Sequence, residues 1–181
     1  LEYIQKQILQ EPEKYANVNL AQKRADDIGE EIAPQSFDVV ILNSVIQYFP
    51  NVEYLLEVIS QSIPIVKPGG IILLGDVLSL QLMKAFHSSV QLYQATPSLS
   101  QQKLKQNIDT KMEQETELFV SPELFVALKE KHPEITHVQI RLERGREQNE
   151  LNKYRYSVLL HIQAQAASII APTVEDRKSV V

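Results

Sequence analysis

The 181-residue chain contains no cysteine. That excludes disulfides, thiolate metal sites and a cysteine nucleophile in one step. It has only five glycines, Gly29, Gly69, Gly70, Gly75 and Gly145, and they form no GxGxG turn. No apolar run is long enough to cross a bilayer as a helix. The first residues, LEYIQKQILQEPEK, spread charges throughout and contain no signal-peptide core. A cytoplasmic location is expected on that ground, with no membrane partner. Positive charge is not in excess: a net charge of −5 and a pI near 5.4 argue against a general nucleic-acid binder. The four histidines, His87, His132, His137 and His161, show no metal-ligand spacing, so no metal site is expected. The chain begins with Leu rather than Met and is expected to be a piece of something longer.

What is present is an ordinary globular composition, 44% hydrophobic and 23% charged. The length suits one domain with a real core. The most informative stretch runs from Phe37 to Val77. In FDVVILNSVIQYFP an apolar run, Phe37–Leu42, ends in the polar pair Asn43 and Ser44. An amphipathic segment follows. In VKPGGIILLGDV a Pro-Gly-Gly turn leads into a second apolar run, Ile71–Leu74, which ends at Gly75 and Asp76. This pattern predicts two buried parallel strands joined by a crossover helix, with polar groups at both carboxyl ends. Ligands of open α/β sheets bind at that edge, so a small-molecule site is expected there.

The flanks fit the same class. Leu1, Ile4, Ile8 and Leu9 fall on one side of a helix that ends at Glu11-Pro12. Val18–Leu20 is a short strand candidate, followed by Arg24, Ala25, Asp26 and Asp27. Asn51 is placed to cap a helix carrying Val52, Leu55, Leu56, Val58 and Ile59. Leu78–Tyr93 and Ser100–Leu118 both have helical spacing. Ser121-Pro122-Glu123 combines a cap, a proline at the first helical position and an early acid, predicting a helix to about Lys131. The period then changes to two. Thr136, Val138, Ile140 and Leu142 alternate with polar residues, as do Tyr154, Tyr156, Val158, Leu160 and Ile162 with their neighbours. These predict an antiparallel pair closing the sheet. From Gln163 onward no period is sustained, and a tail or linker is expected. The order is that of the second half of a doubly wound sheet.

FDVVILNSVIQYFP followed by VKPGGIILLGDV resembles the Rossmann-like S-adenosylmethionine-dependent methyltransferases. LLGDVLSLQLMKAFHSSVQLYQA, EQETELFVSPELFVAL and RGREQNELNKYRYSVLLHI are similar to the N-methyltransferase domains embedded in nonribosomal peptide synthetases. The resemblance spans Leu1 to Ile162. It implies a partial Rossmann-like α/β sheet, with parallel strands, crossover helices and a closing antiparallel pair, lacking the first strands. Residues 1–162 would form the carboxyl-terminal part of a methyltransferase domain, and residues 163–181 a tail or linker. The implied cofactor is S-adenosylmethionine, and the implied partners are the aminoacyl-carrier and adenylation domains of a synthetase. The family also has a glycine-rich turn after its first strand and a ribose-binding acid after its second. Neither is found here.

The resemblance assigns roles that compete with simpler ones. Asp26 or Asp27 accepts from the adenine amino group, or the pair is a solvated acidic loop. Asn43 and Ser44 meet the methionine part of the cofactor and the methyl acceptor, or they only cap a strand end. Gln47 stands where related carbon-methylating domains often have a basic histidine. Glutamine takes no proton, which suits an amine acceptor. Tyr48 faces the site, or is a partly buried core aromatic. Asp76 hydrogen-bonds or helps to deprotonate the acceptor amine, or caps the following helix. Glu150 or Asn149 orients the acceptor, or belongs to a polar hairpin loop with Arg155 and Tyr156 beyond it. His87 is expected to be a packed histidine, and Arg141, Arg144 and Arg146 a solvated basic cluster. The expected chemistry is methyl transfer to the nitrogen of a carrier-bound aminoacyl group. The rivals are a truncated remnant or interaction module without cofactor affinity, and a small-molecule O-methyltransferase.

Overall fold

The computed structural model describes residues 2–29, 32–143 and 149–165. Arg144, Arg146 and most of the expected tail lie outside these residues, as does Leu1. The architecture is α/β, built on one mixed sheet of five strands. Strand β1, Phe37–Asn43, lies parallel to β2, Val66–Ser79, and helix α2, Val52–Ser62, makes the crossover between them. Beyond β2 the path continues through β5, Arg155–Ile162, to β4, Ile135–Leu142, both pairings being antiparallel. The two-residue strand β3, Phe119–Val120, pairs parallel with the end of β2.

Local chemistry accounts for the main elements. The Asn51 side chain accepts from the Tyr54 N–H at 2.8 Å, which is the expected cap of α2. From that start Leu55, Val58, Ile59 and Ser62 fall on one face and are buried. Near the start of β2 Pro68 precedes Gly69, whose φ of +85° is a left-handed backbone that glycine adopts without steric cost. In β5 the alternation holds along the whole strand: Tyr156, Val158, Leu160 and Ile162 are buried, and their neighbours are partly exposed. The core joins these residues to Ile72, Leu74 and Val77 of β2, to Val40 and Leu42 of β1, and to Phe125 of helix α5, Pro122–Lys131. The Tyr156 hydroxyl donates to the Val120 carbonyl at 2.9 Å inside that core.

Several expectations need correction. Val18–Leu20 is not a strand. An extended segment gains ladder hydrogen bonds only from a neighbour, and none pairs with it among the described residues. Strand β1 is not buried on both faces: Val40 and Leu42 are in the core, but Phe37, Val39 and Ile41 are exposed. No other strand lies along its outer edge among the described residues. The chain does not turn helical at Leu78. Strand β2 runs on to Ser79, and helix α3 occupies Met83–Gln94 after a short 3₁₀ turn. Helix α4 is Gln101–Glu113, so the residues before Ser121 include β3 rather than continuous helix. Ser121 precedes α5, but its hydroxyl donates to Glu123 and makes no backbone cap. Helix α1, Glu2–Gln10, forms as expected yet buries none of its residues.

Candidate functional site

The carboxyl ends of β1 and β2 lie side by side, with Asn43 opposite Gly75. A Cβ on Gly75 would stand 2.0 Å from Asn43 Oδ1, so the absence of a side chain there is what seats Asn43. Asn43 Nδ2 donates to Ser44 Oγ at 2.9 Å, and the Ser44 N–H donates to the Gly75 carbonyl at 3.2 Å. Ser44 has φ of +56° and Asp76 has φ of +64°. Left-handed backbone is unfavourable for residues with a Cβ, by roughly 1–2 kcal/mol per residue. Two such residues on neighbouring strand ends are the kind of local strain that collects at functional sites.

The backbone at Asp76 is a β-bulge. Leu74 is opposite Val158 and Val77 is opposite Tyr156, so β2 carries one residue more than β5 between these pairs. In unbroken register Asp76 would have faced Tyr156 in the core. The extra residue puts Val77 there instead, and the carboxylate is re-aimed. It meets Arg155, whose Nη1 donates to Asp76 Oδ2 at 2.7 Å. Both side chains are largely shielded, at 11% and 19% exposure. Asp76 is therefore not a simple cap for α3, which starts several residues later.

Gln47 belongs to the same edge. It is buried, its Nε2 donates to the Ser44 carbonyl at 3.2 Å, and its Oε1 is buried with no partner among the described residues. Its carbonyl accepts from the Leu118 N–H at 2.8 Å, tying the turn after β1 to the segment before β3. Tyr48 is 73% exposed, so it is not a core aromatic. The structure thus brings together Asn43, Ser44, Gln47 and Asp76.

The remaining candidates stand apart from that cluster. Asp26 lies in a short turn against α2. It accepts from Arg24 at 3.0 and 2.7 Å and from the Tyr54 hydroxyl at 2.8 Å. The Arg24 hydrogen bond first, and the Tyr54 hydroxyl second, hold its carboxyl below the usual 3.8. Asp27 follows in the same turn. Glu150 opens helix α6, Glu150–Lys153, and Asn149 caps it by accepting from the Asn152 N–H at 3.3 Å. Both line an open groove of about 570 Å³ between α3 and α6, with Tyr93, Lys153 and Tyr154 on its walls. No hydrogen bond or ion pair among the described residues joins Glu150 or Asp26 to the Asn43–Asp76 cluster.

The histidines are packed into the fold. His87 is buried beside Phe86 and Phe119, with Nε2 3.0 Å from Glu115 Oε2 but without hydrogen-bond geometry. His161 faces His137 across β4 and β5, and burial first, then His137 and Arg141, hold it below the ordinary 6.5. Two features of the site escaped sequence reasoning: the Asp76–Arg155 pair and the Gly75 seat. Neither is visible in the sequence, because the first depends on the register of β2 against β5 and the second on that of β1 against β2.

A family model described as a methyltransferase domain matches residues 3–117. Chondramide synthase of Chondromyces crocatus is 44% identical over 147 residues, covering 81% of this chain and 4% of that protein. The beauvericin nonribosomal cyclodepsipeptide synthetase of Beauveria bassiana is 32% identical over 181 residues, covering 97% of this chain and 6% of that protein. The chain therefore spans a small fraction of the length of the curated relatives it matches. Among solved structures, an O-methyltransferase family protein from Burkholderia thailandensis superposes with a TM-score of 0.51 at 20% identity, covering 91% of this chain and 41% of that one. At that identity the likeness speaks for the fold. On its matched residues and its α/β sheet, this chain belongs to the Rossmann-like methyltransferase domain family.

Proposed function

We propose that residues 1–162 act within an S-adenosylmethionine-dependent methyltransferase domain of a nonribosomal peptide synthetase, with residues 163–181 as tail or linker. The acceptor is the amine nitrogen of an aminoacyl group carried as a thioester on a carrier domain and loaded by an adenylation domain. The kinship with two large synthetases supports the setting. The site rests on one observation: Asn43 seated on Gly75, flanked by Ser44 and Asp76 in left-handed backbone, at the carboxyl edge of two parallel strands.

The edge fits the methionine end of such a cofactor. It offers an amide seated over Gly75, a hydroxyl, a carboxylate and Gln47 Oε1, which has no partner among the described residues. The chain has no GxGxG turn, so these residues supply only part of a cradle. When bound, S-adenosylmethionine supplies an electrophilic methyl group on a sulfonium and leaves as S-adenosylhomocysteine. Asn43 and Ser44 hold the cofactor's amino-acid end, and Asp26 or Asp27 accepts from its adenine amino group. Asp76 accepts an N–H of the acceptor amine, which turns the nitrogen lone pair toward the methyl carbon. With the cofactor held there, Asp76 or water would take the proton that the methylated nitrogen loses. Gln47 takes no proton and fixes the Ser44 carbonyl, Tyr48 stands exposed beside it, and Glu150 acts on the acceptor from the separate groove between α3 and α6. Alignment and exclusion of water supply the acceleration.

The test is isothermal titration of S-adenosylmethionine into the folded chain, followed by incubation with an aminoacyl thioester and mass spectrometry of the product. Saturable one-to-one binding and a methyl group on nitrogen are expected. A methyl on oxygen would mark an O-methyltransferase. The lack of a GxGxG turn favours a second role, a non-catalytic module without cofactor affinity. Failure of the whole polypeptide, folded as its cell makes it, to take up cofactor would decide for that role and against the first.

A further inference from the structure

We infer that Arg155 is a positioning residue for methyl transfer, fixing the Asp76 carboxylate toward the acceptor amine. The inference rests on the function proposed above. Arg155 opens β5, and Asp76 sits at the bulge of β2, 79 residues away in sequence. Their bond is charge-assisted, 2.7 Å long and mostly shielded from water. It engages Oδ2 alone. Among the described residues Oδ1 has no partner, although the Asn43–Ser44 edge is adjacent. A carboxylate with both oxygens satisfied would be structural. One with a single oxygen held, on a backbone bent to φ of +64°, is aimed with the other oxygen left to accept.

A purely structural pair would call for neither the bulge nor the strain. Regular β2 register would bury Asp76 opposite Tyr156, and an apolar residue there would fill the core better. Instead the strand accepts an extra residue, places Val77 in the core and presents the carboxylate at the strand end. The guanidinium then removes the freedom of the side chain to swing. A lysine at position 155 would keep the charge with a less rigid grip, because its ammonium lacks the planar fork.

The experiment uses the polypeptide as its cell makes it, carrying Arg155→Met, Arg155→Lys or Arg155→Gln. Cofactor binding is measured by titration with S-adenosylmethionine. Turnover is measured on an aminoacyl N-acetylcysteamine thioester and divided by the measured number of cofactor sites. In Arg155→Met, kcat per site is expected to fall about 10- to 100-fold, the usual cost of a misplaced group. Cofactor affinity should stay within about twofold, because no bond to the cofactor side is removed. Arg155→Lys should recover most of the loss. Unchanged kcat per site in Arg155→Met would overturn the inference. So would a parallel loss of cofactor binding, which would make Arg155 a scaffold residue. Should Arg155→Met fail to fold, Arg155→Gln carries the same two outcomes. A wild type that binds cofactor but methylates no amine overturns the proposed function itself, and the role of Arg155 with it.

Discussion

Replacing Gly75 by alanine would test the carboxyl-edge site with little damage to the fold. Gly75 has no left-handed φ, so its backbone accepts alanine. The new Cβ would meet Asn43 Oδ1 at 2.0 Å and Cγ at 3.0 Å, but Asn43 Cβ only at 3.5 Å, an ordinary contact. The strand can therefore stay in place while the Asn43 amide is driven out of its seat. Two costs follow. An off-rotamer side chain costs about 0.5–1.5 kcal/mol. The lost Asn43–Ser44 hydrogen bond costs about 0.5–1.5 kcal/mol net. Partial relaxation puts the sum at about 1–2 kcal/mol, or roughly 2–8 °C in thermal midpoint for a domain of this size. Cofactor binding should suffer more, because the polar contact from Asn43 is misdirected. A loss of about 1–3 kcal/mol corresponds to roughly 5- to 150-fold weaker binding. Circular-dichroism melting and calorimetric titration read the two effects separately. Asn43→Ala should weaken binding to a similar degree, and Gly75→Ala should add little on top of it. Undiminished affinity in Gly75→Ala, or full additivity of the two variants, would refute the assignment of Asn43 to the site.

Two further outcomes concern the frame around the site. Tyr156→Phe removes the buried bond to the Val120 carbonyl and should cost about 1–3 kcal/mol in urea denaturation, without loss of packing. Burial first, and the charge of Glu123 second, push the Tyr156 hydroxyl above its ordinary 10.0. The folded state thus favours the protonated phenol, and its contribution is complete below pH 10.0 and lost as pH rises beyond, which alkaline unfolding of wild type and Tyr156→Phe will compare. Asp26 has the opposite sign. Its lowered value means a contribution complete above pH 3.8 that is lost as pH falls, and an NMR titration of its carboxyl should move back toward 3.8 in Tyr54→Phe and further in Arg24→Met.

What could be read in the sequence was what is local. The Asn51 cap and the apolar spacing of α2 act within a few residues, and the structure has both. The alternation of β5 is equally local, since one buried face dictates it. The end of β2 was misread for a physical reason. The bulge at Gly75-Asp76 shifts the phase, so Val77 and Leu78 are both buried and the run Leu78–Tyr93 imitates a helix. Val18–Leu20 has strand composition, but strand formation depends on a neighbour and not on composition. At the site, Asn43, Ser44 and Asp76 stood out because strand ends are visible as breaks in apolar runs. The grip of Arg155 on Asp76 could not be seen, because it depends on the register of two antiparallel strands.

Along β1 the described residues leave one side of the sheet without a neighbouring strand. The outer N–H and C=O groups of β1 meet no other strand among the described residues, and the apolar side chains of Phe37, Val39 and Ile41 are exposed along the same strand. That is a template for adding one more strand from any source, including another molecule. Natural edges are usually guarded by lysine, proline or a bulge; Lys67 of β2 is held by Asp38 near the start of β1. Association through this edge should rise with concentration and resist salt, because it is made of backbone bonds and apolar contact rather than ion pairs. A single lysine in place of Ile41, outward on the open face, would act as a solubility gatekeeper while leaving the carboxyl edge untouched.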